Sequence, residues 1–475
     1  MRSYEHREIG DAATGGALVN VGGESAEERF LLSFGDVVAL SGDYFPPATL
    51  HSFAGVPGQE GTRIDTRDEL VCALKVTTVD EAFVDPRFEP GGRFSAYRFS
   101  PRADRSDVER RIRDRYLTLA ANNDDHFVNP GRSDAPTGSG FGSALAAYRH
   151  FHHVALDEAW RLGRRGGDVS QAMAREAAAQ HYLTDAFAAG HLRTPVASIR
   201  RHWKARYPSF WAHLQRKVAF DTAAALRQLS AVMRMISSSY LEQRTLSELT
   251  TRTSHYPELS VGDLVARAFH DWDNIHGLEV EGGGTVYGDG HVDEGVTREL
   301  ALAAVRAGND DVVVASDLGA SGRSLRGEAL YEAVREATGA VGEAFLAESR
   351  VPRVSADNPS QNWHAGDVET LWDSPVVGAT GRTVGQAIVE MLEPEGQFIR
   401  QLEGLGQGLA GAHGVFAVPV LGTWLSGKCC QAYHGGFVEP LAHDPRDVIL
   451  AVANGPQSSV SGPTASHTTG SVERG

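Results

Sequence analysis

Apolar residues recur with a helical period along much of the chain. Between residues 29 and 41 they are spaced for a helix that ends near Ser41 and Gly42, at Phe30, Leu31, Phe34, Val37, Val38 and Leu40. Residues 144–162 show the same period, and so do residues 264–277, where Gly277 stops the helix. The pattern therefore predicts a mainly α-helical protein.

Other stretches extend this prediction. Alanine-rich composition or helical period predicts helices at 108–121, 174–185, 199–243, 296–350 and 383–405. Glycines between short apolar stretches predict a hairpin or loop at 278–293. Glycine and proline predict loops at 51–66, 85–106 and 132–141.

Composition limits the classes of function. The 475 residues carry a formal net charge of −16, which argues against a protein that holds duplex DNA by a basic surface. Three cysteines imply no disulfide framework, whereas nineteen histidines, many of them clustered, raise the expectation of a metal site. No window approaches the roughly 18 apolar residues of a membrane span, and no signal-type segment opens the sequence, so we expect a cytoplasmic protein or one exported without a cleaved signal.

The strongest chemical signal is a group of three residues within eleven positions. His181 and Asp185 are four residues apart, so on a helix both project from one face. His191 follows Gly190, where a helix could open and turn the next side chain inward. Imidazole and carboxylate groups are good zinc ligands, although a helix with polar surface positions would give the same pattern.

Asp43 and His126, which both come earlier in the chain, strengthen the interpretation as a metal site. Asp43 falls just past the predicted end of the helix at 29–41, where a carboxylate serves a turn or points into a cleft. His126 precedes Phe127 in a predicted loop that breaks at Pro130, which favours a side chain directed into a pocket.

The order and spacing of these five residues resemble the zinc-dependent bacterial phospholipase C family and its relatives, the zinc nucleases specific for single strands. In that superfamily an aspartate near a helix end comes first and a histidine followed by phenylalanine comes next. A helix then reads His, three residues, Asp, five residues, His, which His181, Asp185 and His191 reproduce without gaps. The resemblance implies a multi-helix catalytic domain over residues 1–300, a helical C-terminal extension over 301–454 and a disordered tail over 455–475.

The resemblance also implies ligands for two or three zinc ions. One ion would be held by Asp43, His126, His181 and Asp185, with Asp185 bridging to a neighbour and His191 on a second ion. The family adds a histidine with a carboxylate four residues on, and here the sequence departs. His270 with Asp273 three residues on is the nearest match, and a capped helix end rich in acids is the alternative.

Several further residues are open to two interpretations. The family uses a processed amino-terminal tryptophan and a nearby histidine for a third metal; His6 could be a remnant of that site or a surface residue. Arg193 could bind a phosphate oxygen or face solvent, and Tyr44 could line a substrate pocket or belong to the core. Asp289, His291 and Asp293 alternate around glycines as in a cation-binding loop, or as in an ordinary turn.

The function implied by the resemblance is hydrolysis of a phosphodiester bond. We expect a phospholipase C that releases a phosphorylated headgroup and diacylglycerol, with zinc-activated water attacking phosphorus and Asp43 as general base. The expected partner is a phospholipid, with transient contact to a membrane surface and no duplex nucleic acid. A single-strand-specific nuclease is the alternative, although the acidic chain disfavours it. A non-catalytic helical metal-binding protein is the third hypothesis.

Overall fold

The fold is known from a computed structural model. It describes residues 1–22, 29–47, 68–74, 123–131, 140–206, 234–253, 258, 260–340 and 342–355, together with single positions between 108 and 119 and between 208 and 227. The predicted helix at 383–405, most of the expected extension and the expected tail at 455–475 lie outside the described residues.

The described part is mainly helical, as the sequence predicts. In chain order the helices are α1 (Ser3–Thr14), α2 (Phe34–Leu40), α3 (Ala144–Arg165), α4 (Ser170–Asp185), α5 (Ala189–Arg193), α6 (Val196–Arg206), α7 (Ser238–Thr253), α8 (Val261–His276), α9 (Thr297–Ala320), α10 (Glu328–Thr338) and α11 (Leu346–Ser349). A 3-10 turn covers Asn123–His126.

The described strands are short and form two antiparallel pairs. Strand β1 (Leu18–Asn20) pairs with β2 (Leu31–Ser33), and β3 (Leu278–Glu279) pairs with β4 (Thr285–Val286). The second pair confirms the hairpin that turn glycines predict at 278–293.

The predicted helix at 29–41 is only partly correct. Leu31 and Leu32 belong to strand β2, because they pair with Asn20 and Val19 of β1. The helix starts after Ser33, whose hydroxyl accepts a bond from the Asp36 backbone N–H while the Asp36 carboxylate bonds the Ser33 N–H. This capping box fixes the start of α2 more strongly than the apolar spacing does.

Helices α3, α4 and α9 form the centre of the fold. Helix α4 packs against α3, α9 and α2, and α1 packs against α2 and α9. The alanines of α4, which are fully buried, allow this close packing on several sides; they are Ala172, Ala174, Ala177, Ala178 and Ala179. Helix α4 therefore carries its polar residues into the interior.

Residue 300 is the expected domain boundary. It falls inside α9, which packs against α3 and α4. One compact unit comprises Met1–Trp203, Ser254–Glu258 and Gly262–Leu392, and the other comprises Lys204–Thr253, Leu259–Val261 and Glu393–Gly475. Residues 301–349 thus complete the unit that contains the candidate site.

Among the described residues, no helix combines the length and the apolar character that crossing a membrane requires.

Candidate metal centre

The candidate site is centred on Asp185, the last residue of α4. Its side chain is 1% exposed, and its two oxygens face different groups. Oδ2 lies 2.7 Å from His126 Nδ1 and 3.4 Å from His181 Nε2. Oδ1 lies 2.7 Å from the Met1 amino nitrogen and 3.0 Å from His191 Nδ1. One carboxylate thus connects two sets of donor atoms.

The first set contains three of the residues that the sequence singles out. Potential ligand atoms of Asp43, His126 and His181 all lie within 4.8 Å of one another. His126 Nδ1 is 3.2 Å from His181 Nε2. The helix end after α2, the 3-10 turn and α4 therefore bring these side chains together, although they are distant in sequence.

His181 is oriented by the backbone of α2. Its Nδ1 lies 3.0 Å from the Val38 carbonyl oxygen and so donates its proton there. The lone pair of Nε2 is then directed at His126 and Asp185. A histidine whose second nitrogen bonds a carbonyl is the usual arrangement for metal ligands, because it fixes the tautomer and the ring.

Gly42 makes room for this arrangement. It has a φ of 78°, and a Cβ there would lie 2.5 Å from His181 Nε2 and 3.1 Å from His126 Cε1. Any side chain at this position would fill the space that the two imidazoles face.

The second set of donors includes the amino group of Met1 and His6 of α1. His6 Nδ1 lies 2.7 Å from the Thr184 hydroxyl oxygen, and that hydroxyl donates to the Gln180 carbonyl at 2.7 Å. His6 Nδ1 must therefore donate to Thr184, which leaves the lone pair of Nε2 facing Asp185 Oδ1 at 3.3 Å. The surface alternative for His6 is wrong, because the residue is fully buried.

His191 and His270 meet beside Asp289. The imidazole centroids of His191 and His270 are 4.7 Å apart, and Phe127 lies edge-on to both. Asp289 Oδ2 is 3.8 Å from His270 Nε2, and Asp289 Oδ1 is 3.3 Å from the Met1 amino nitrogen. A third carboxylate therefore borders the cluster from the loop after β4.

Asp289 holds a backbone conformation that few residues adopt. Its φ of 34° is the only positive value at a non-glycine position among the described residues. The loop is tied down where the Gly290 N–H donates to Glu5 Oε1 at 2.7 Å and the Gly288 N–H donates to the Asn274 carbonyl at 3.1 Å. His291 and Asp293 of the same loop point outward, toward Glu294 and Arg298.

The structure corrects the expectations for Asp273 and Arg193. Arg193 binds Asp273 through both Nε and Nη2, with Nε at 3.0 Å from Oδ2, and both side chains are buried. Asp273 therefore neutralises Arg193, so we assign neither a metal-ligand role to Asp273 nor a phosphate-binding role to Arg193. The fourth residue after His270 is Asn274, whose Oδ1 accepts the Gly190 N–H at 2.7 Å.

Tyr44 also differs from the substrate-binding expectation. Its side chain is buried in the main hydrophobic cluster, with its ring 5.3 Å from that of Tyr116. The neighbouring Phe45 belongs to the same cluster. The core interpretation of these aromatics is therefore the correct one.

Burial and charge perturb the acid–base groups of the cluster. Burial alone would lower the pKa of the Met1 amino group, but the Asp185 and Asp289 carboxylates outweigh it and raise the pKa to about 11. Burial would raise the pKa of Asp185, but the Met1 ammonium, His191 and His181 hold it well below its usual range. Burial raises the pKa of Asp43.

The imidazoles divide into two kinds. Burial and the neighbouring Met1 ammonium lower the pKa of His191 to about 4, and burial with His6 lowers that of His181 well below its usual range. For His126 burial acts to lower the pKa, but the hydrogen bond to Asp185 raises it overall. His181 and His191 are therefore neutral at pH 7, with lone pairs available to a cation.

Several potential ligand atoms in the cluster have no hydrogen-bond partner within the described part of the protein, which suits them to binding a metal. His6 Nε2, His191 Nδ1 and Asp289 Oδ1 are buried without a hydrogen-bond partner in the described part of the chain. Ligand atoms of His6, His181 and Asp185 all lie within 4.8 Å of one another. A mixed nitrogen and oxygen donor set with unsatisfied lone pairs is suited to zinc and similar borderline cations.

Two members of the cluster were not predicted as ligands from the sequence. The Met1 amino group approaches Asp185 across 184 positions, so no local pattern reports it. Asp289 had a weak signal in its flanking glycines, which are equally typical of a turn.

Comparison with family models, with curated proteins and with solved structures finds no match to this chain.

Proposed function

We propose that the protein is a zinc-dependent phosphodiester hydrolase that acts on phospholipids as a phospholipase C. The observation that carries this proposal is the position of Asp185, whose two oxygens face separate sets of imidazole, amine and carboxylate donors. A carboxylate in that position can bridge two cations, and multi-metal centres of this kind are suited to phosphodiester hydrolysis.

The donors group naturally around Asp185. Asp43, His126 and His181 would hold one ion with it, and His191, His270 and Asp289 would hold a second. The Met1 amino group and His6 would complete a third. In this assignment Asp289 replaces the carboxylate that the phospholipase C pattern has four residues after its last histidine.

Zinc at such a centre lowers the pKa of a coordinated water toward about 7 and neutralises phosphate charge. The residues of the chain would accept the proton of the attacking water and orient the imidazole ligands. Asp43 has a pKa raised by burial, which makes its carboxylate a better proton acceptor for the attacking water. Val38 and Thr184 hold the imidazoles of His181 and His6 in one orientation, so little reorganisation is required when substrate binds.

A lipid is a better substrate than a single-stranded nucleic acid for this chain. Single-strand binders combine basic grooves with aromatic side chains on which bases stack. The formal charge is −16, and the aromatic residues beside the cluster, Phe127 and Tyr182, are only 4% and 7% exposed. Neither ring offers an open face to a base.

Hydrolysis assays on two substrates test the proposal. Zinc-loaded protein should release phosphocholine from phosphatidylcholine vesicles, a chelator should abolish the release, and single-stranded DNA should remain intact. His181→Ala should be inactive, whereas His291→Ala, at a partly exposed position paired with Glu294, should retain activity. Cleavage of DNA without lipid hydrolysis would assign the nuclease function instead, and inactivity on both would favour a non-catalytic metal protein.

A further inference from the structure

A second buried polar cluster lies in the helical core, between α3, α4 and α9. It consists of His152, Glu176 and Asp311, none of which is exposed to solvent. None of these residues belongs to the candidate metal centre, and the proposed hydrolysis makes no use of them. Charged groups in such a position require compensation, because burial without pairing is costly.

The imidazole of His152 is held by Glu176. Its Nδ1 lies 2.6 Å from Glu176 Oε2, so Nδ1 carries a proton that it donates to the carboxylate. Nε2 then faces Asp311 Oδ2 at 3.6 Å, which is longer than a hydrogen bond. Among the described residues, His152 Nε2 and both carboxylate oxygens of Asp311 have no hydrogen-bond partner.

The neighbouring residues fix this arrangement. Gln180 Nε2 donates to Glu176 Oε1 at 2.9 Å, which satisfies the second oxygen of that carboxylate. On α9, a Cβ at Gly308 would lie 2.6 Å from Glu176 Oε1 and 2.8 Å from the Tyr148 hydroxyl oxygen, so the glycine leaves room for these side chains. Within the cluster of His152, Glu176 and Asp311, the atoms without a partner are therefore His152 Nε2 and the two carboxylate oxygens of Asp311.

Burial alone would lower the pKa of His152, but Glu176 and Asp311 outweigh it and raise the pKa to about 10, so a divalent cation in the gap between His152 Nε2 and Asp311 would displace the proton on Nε2. The nearby Glu348 is paired with Arg149, so within the described residues His152 is the ion-pair partner of both Glu176 and Asp311. A proton on His152 offsets only one of the two carboxylate charges. A divalent cation beside a neutral His152 offsets both.

We propose that one divalent cation, zinc or a similar borderline ion, binds between His152 Nε2 and the carboxylate of Asp311. In a tetrahedral zinc site with bonds of about 2.0–2.1 Å, neighbouring nitrogen and oxygen ligands are about 3.4 Å apart, close to the separation seen here. Glu176 bonds the other ring nitrogen and so orients the ligand, as carboxylates do around many bound metals. The ion joins α3 to α9 and, through Glu176, to α4.

Metal content of matched variants tests this site. Full-length wild-type and Asp311→Asn proteins are saturated with zinc and then dialysed. The variant should retain one zinc equivalent fewer than the wild type. Asp310→Asn, which changes the adjacent exposed acid of the same helix, should keep the full complement. An Asp311→Asn protein that binds as much zinc as the wild type would overturn the proposal.

A second measurement uses only the wild-type chain, in case the variant does not fold. Nitrogen NMR of histidine-labelled protein distinguishes a neutral imidazole from an imidazolium. Saturating zinc should leave His152 with a proton on Nδ1 alone, and an imidazolium that persists would show that a proton fills the gap instead. Neither readout depends on hydrolysis, so failure of the proposed lipase activity would not affect either result.

Discussion

Individual carboxylates determine what the candidate centre can bind. Asp185 and Asp289 are both ionised, since cationic and imidazole neighbours hold their pKa values below the usual range against the effect of burial. The donor atoms facing them retain free lone pairs at His6 Nε2 and His191 Nδ1. The cluster therefore satisfies Asp185 through Met1 and His126 but keeps unpartnered nitrogen atoms that could hold a metal ion.

Replacing Asp289 tests its assignment as a ligand. Asp289→Asn should remove one equivalent of bound zinc, because the amide is a weaker donor beside His270 and the Met1 amino group. Asparagine tolerates positive φ, so the backbone at 34° should be preserved. Zinc counted by atomic emission provides the measurement, with Asp293→Asn in the exposed part of the loop as control; equal zinc content in both variants would contradict the assignment.

The space beside the imidazoles depends on Gly42. Gly42→Ala should abolish zinc binding at the first set of donors, because the new Cβ would lie 2.5 Å from His181 Nε2. Gly15→Ala is the matched control: Gly15 has a similar φ of 66°, but a Cβ there would have no atom within 4 Å. Zinc titration followed by fluorescence or calorimetry would compare the two; unchanged zinc affinity in Gly42→Ala would show that the imidazoles do not bind a cation there.

Part of this centre could be predicted from the sequence, and the reason is local geometry. His181 and Asp185 are one helical turn apart, so their shared face follows from helix propensity alone. Asp43 could be found because it follows a predicted helix end, and His126 because it lies in a predicted loop just before the break at Pro130. Asp289 and the Met1 amino group reach the cluster through tertiary contacts, and the pairing of Asp273 with Arg193 arises in the same way.

A capping box, and not the apolar spacing, decides where α2 starts. Apolar spacing alone extended the helix at 29–41 into strand β2, whereas the Ser33–Asp36 capping box sets its true start. Helix α4 is stabilised similarly from outside its first turn, since Asp168 Oδ1 accepts the Ser170 N–H at 2.9 Å. Such caps are visible in a sequence only once the helix itself has been located.

The cap at Asp168 gives a pH-dependent prediction. Asp168→Ala should lower the free energy of unfolding by about 0.5 kcal/mol, the low end for caps because the side chain is half exposed. The Ser170 N–H and then Arg29 lower the pKa of this carboxyl, so its contribution is present above about pH 4 and is lost as the pH falls through the folded-state pKa. Urea unfolding at successive pH values measures this, and a difference that grows on acidification would contradict the cap.

Residues from many elements of the fold meet at the candidate centre. The chain terminus, α1, the 3-10 turn, α4, α5, α8 and the loop after β4 all contribute a side chain or main-chain group to it. Buried carboxylates from several elements therefore depend on the same neighbouring positive charge. Cation binding should consequently stabilise the folded state as well as support the proposed hydrolysis.

Removal of metal should show this dependence. A chelator should lower the melting temperature of zinc-loaded protein, because a ligand present at about 1,000 times its dissociation constant adds about 4 kcal/mol to stability. Readdition of zinc should restore the original value, which differential scanning calorimetry would detect. A melting temperature that is indifferent to chelator would mean that the buried donors satisfy one another.

Metal analysis of Asp185→Asn tests whether Asp185 bridges bound zinc ions. Asparagine keeps the shape of the side chain but cannot bridge two cations as a carboxylate does, while the Met1 ammonium and His126 lose their charged partner. The wild-type protein should bind at least two zinc ions, and the variant should bind at least one fewer. Fewer than one zinc in the wild type, or an equal number in both proteins, would contradict a bridging role for Asp185.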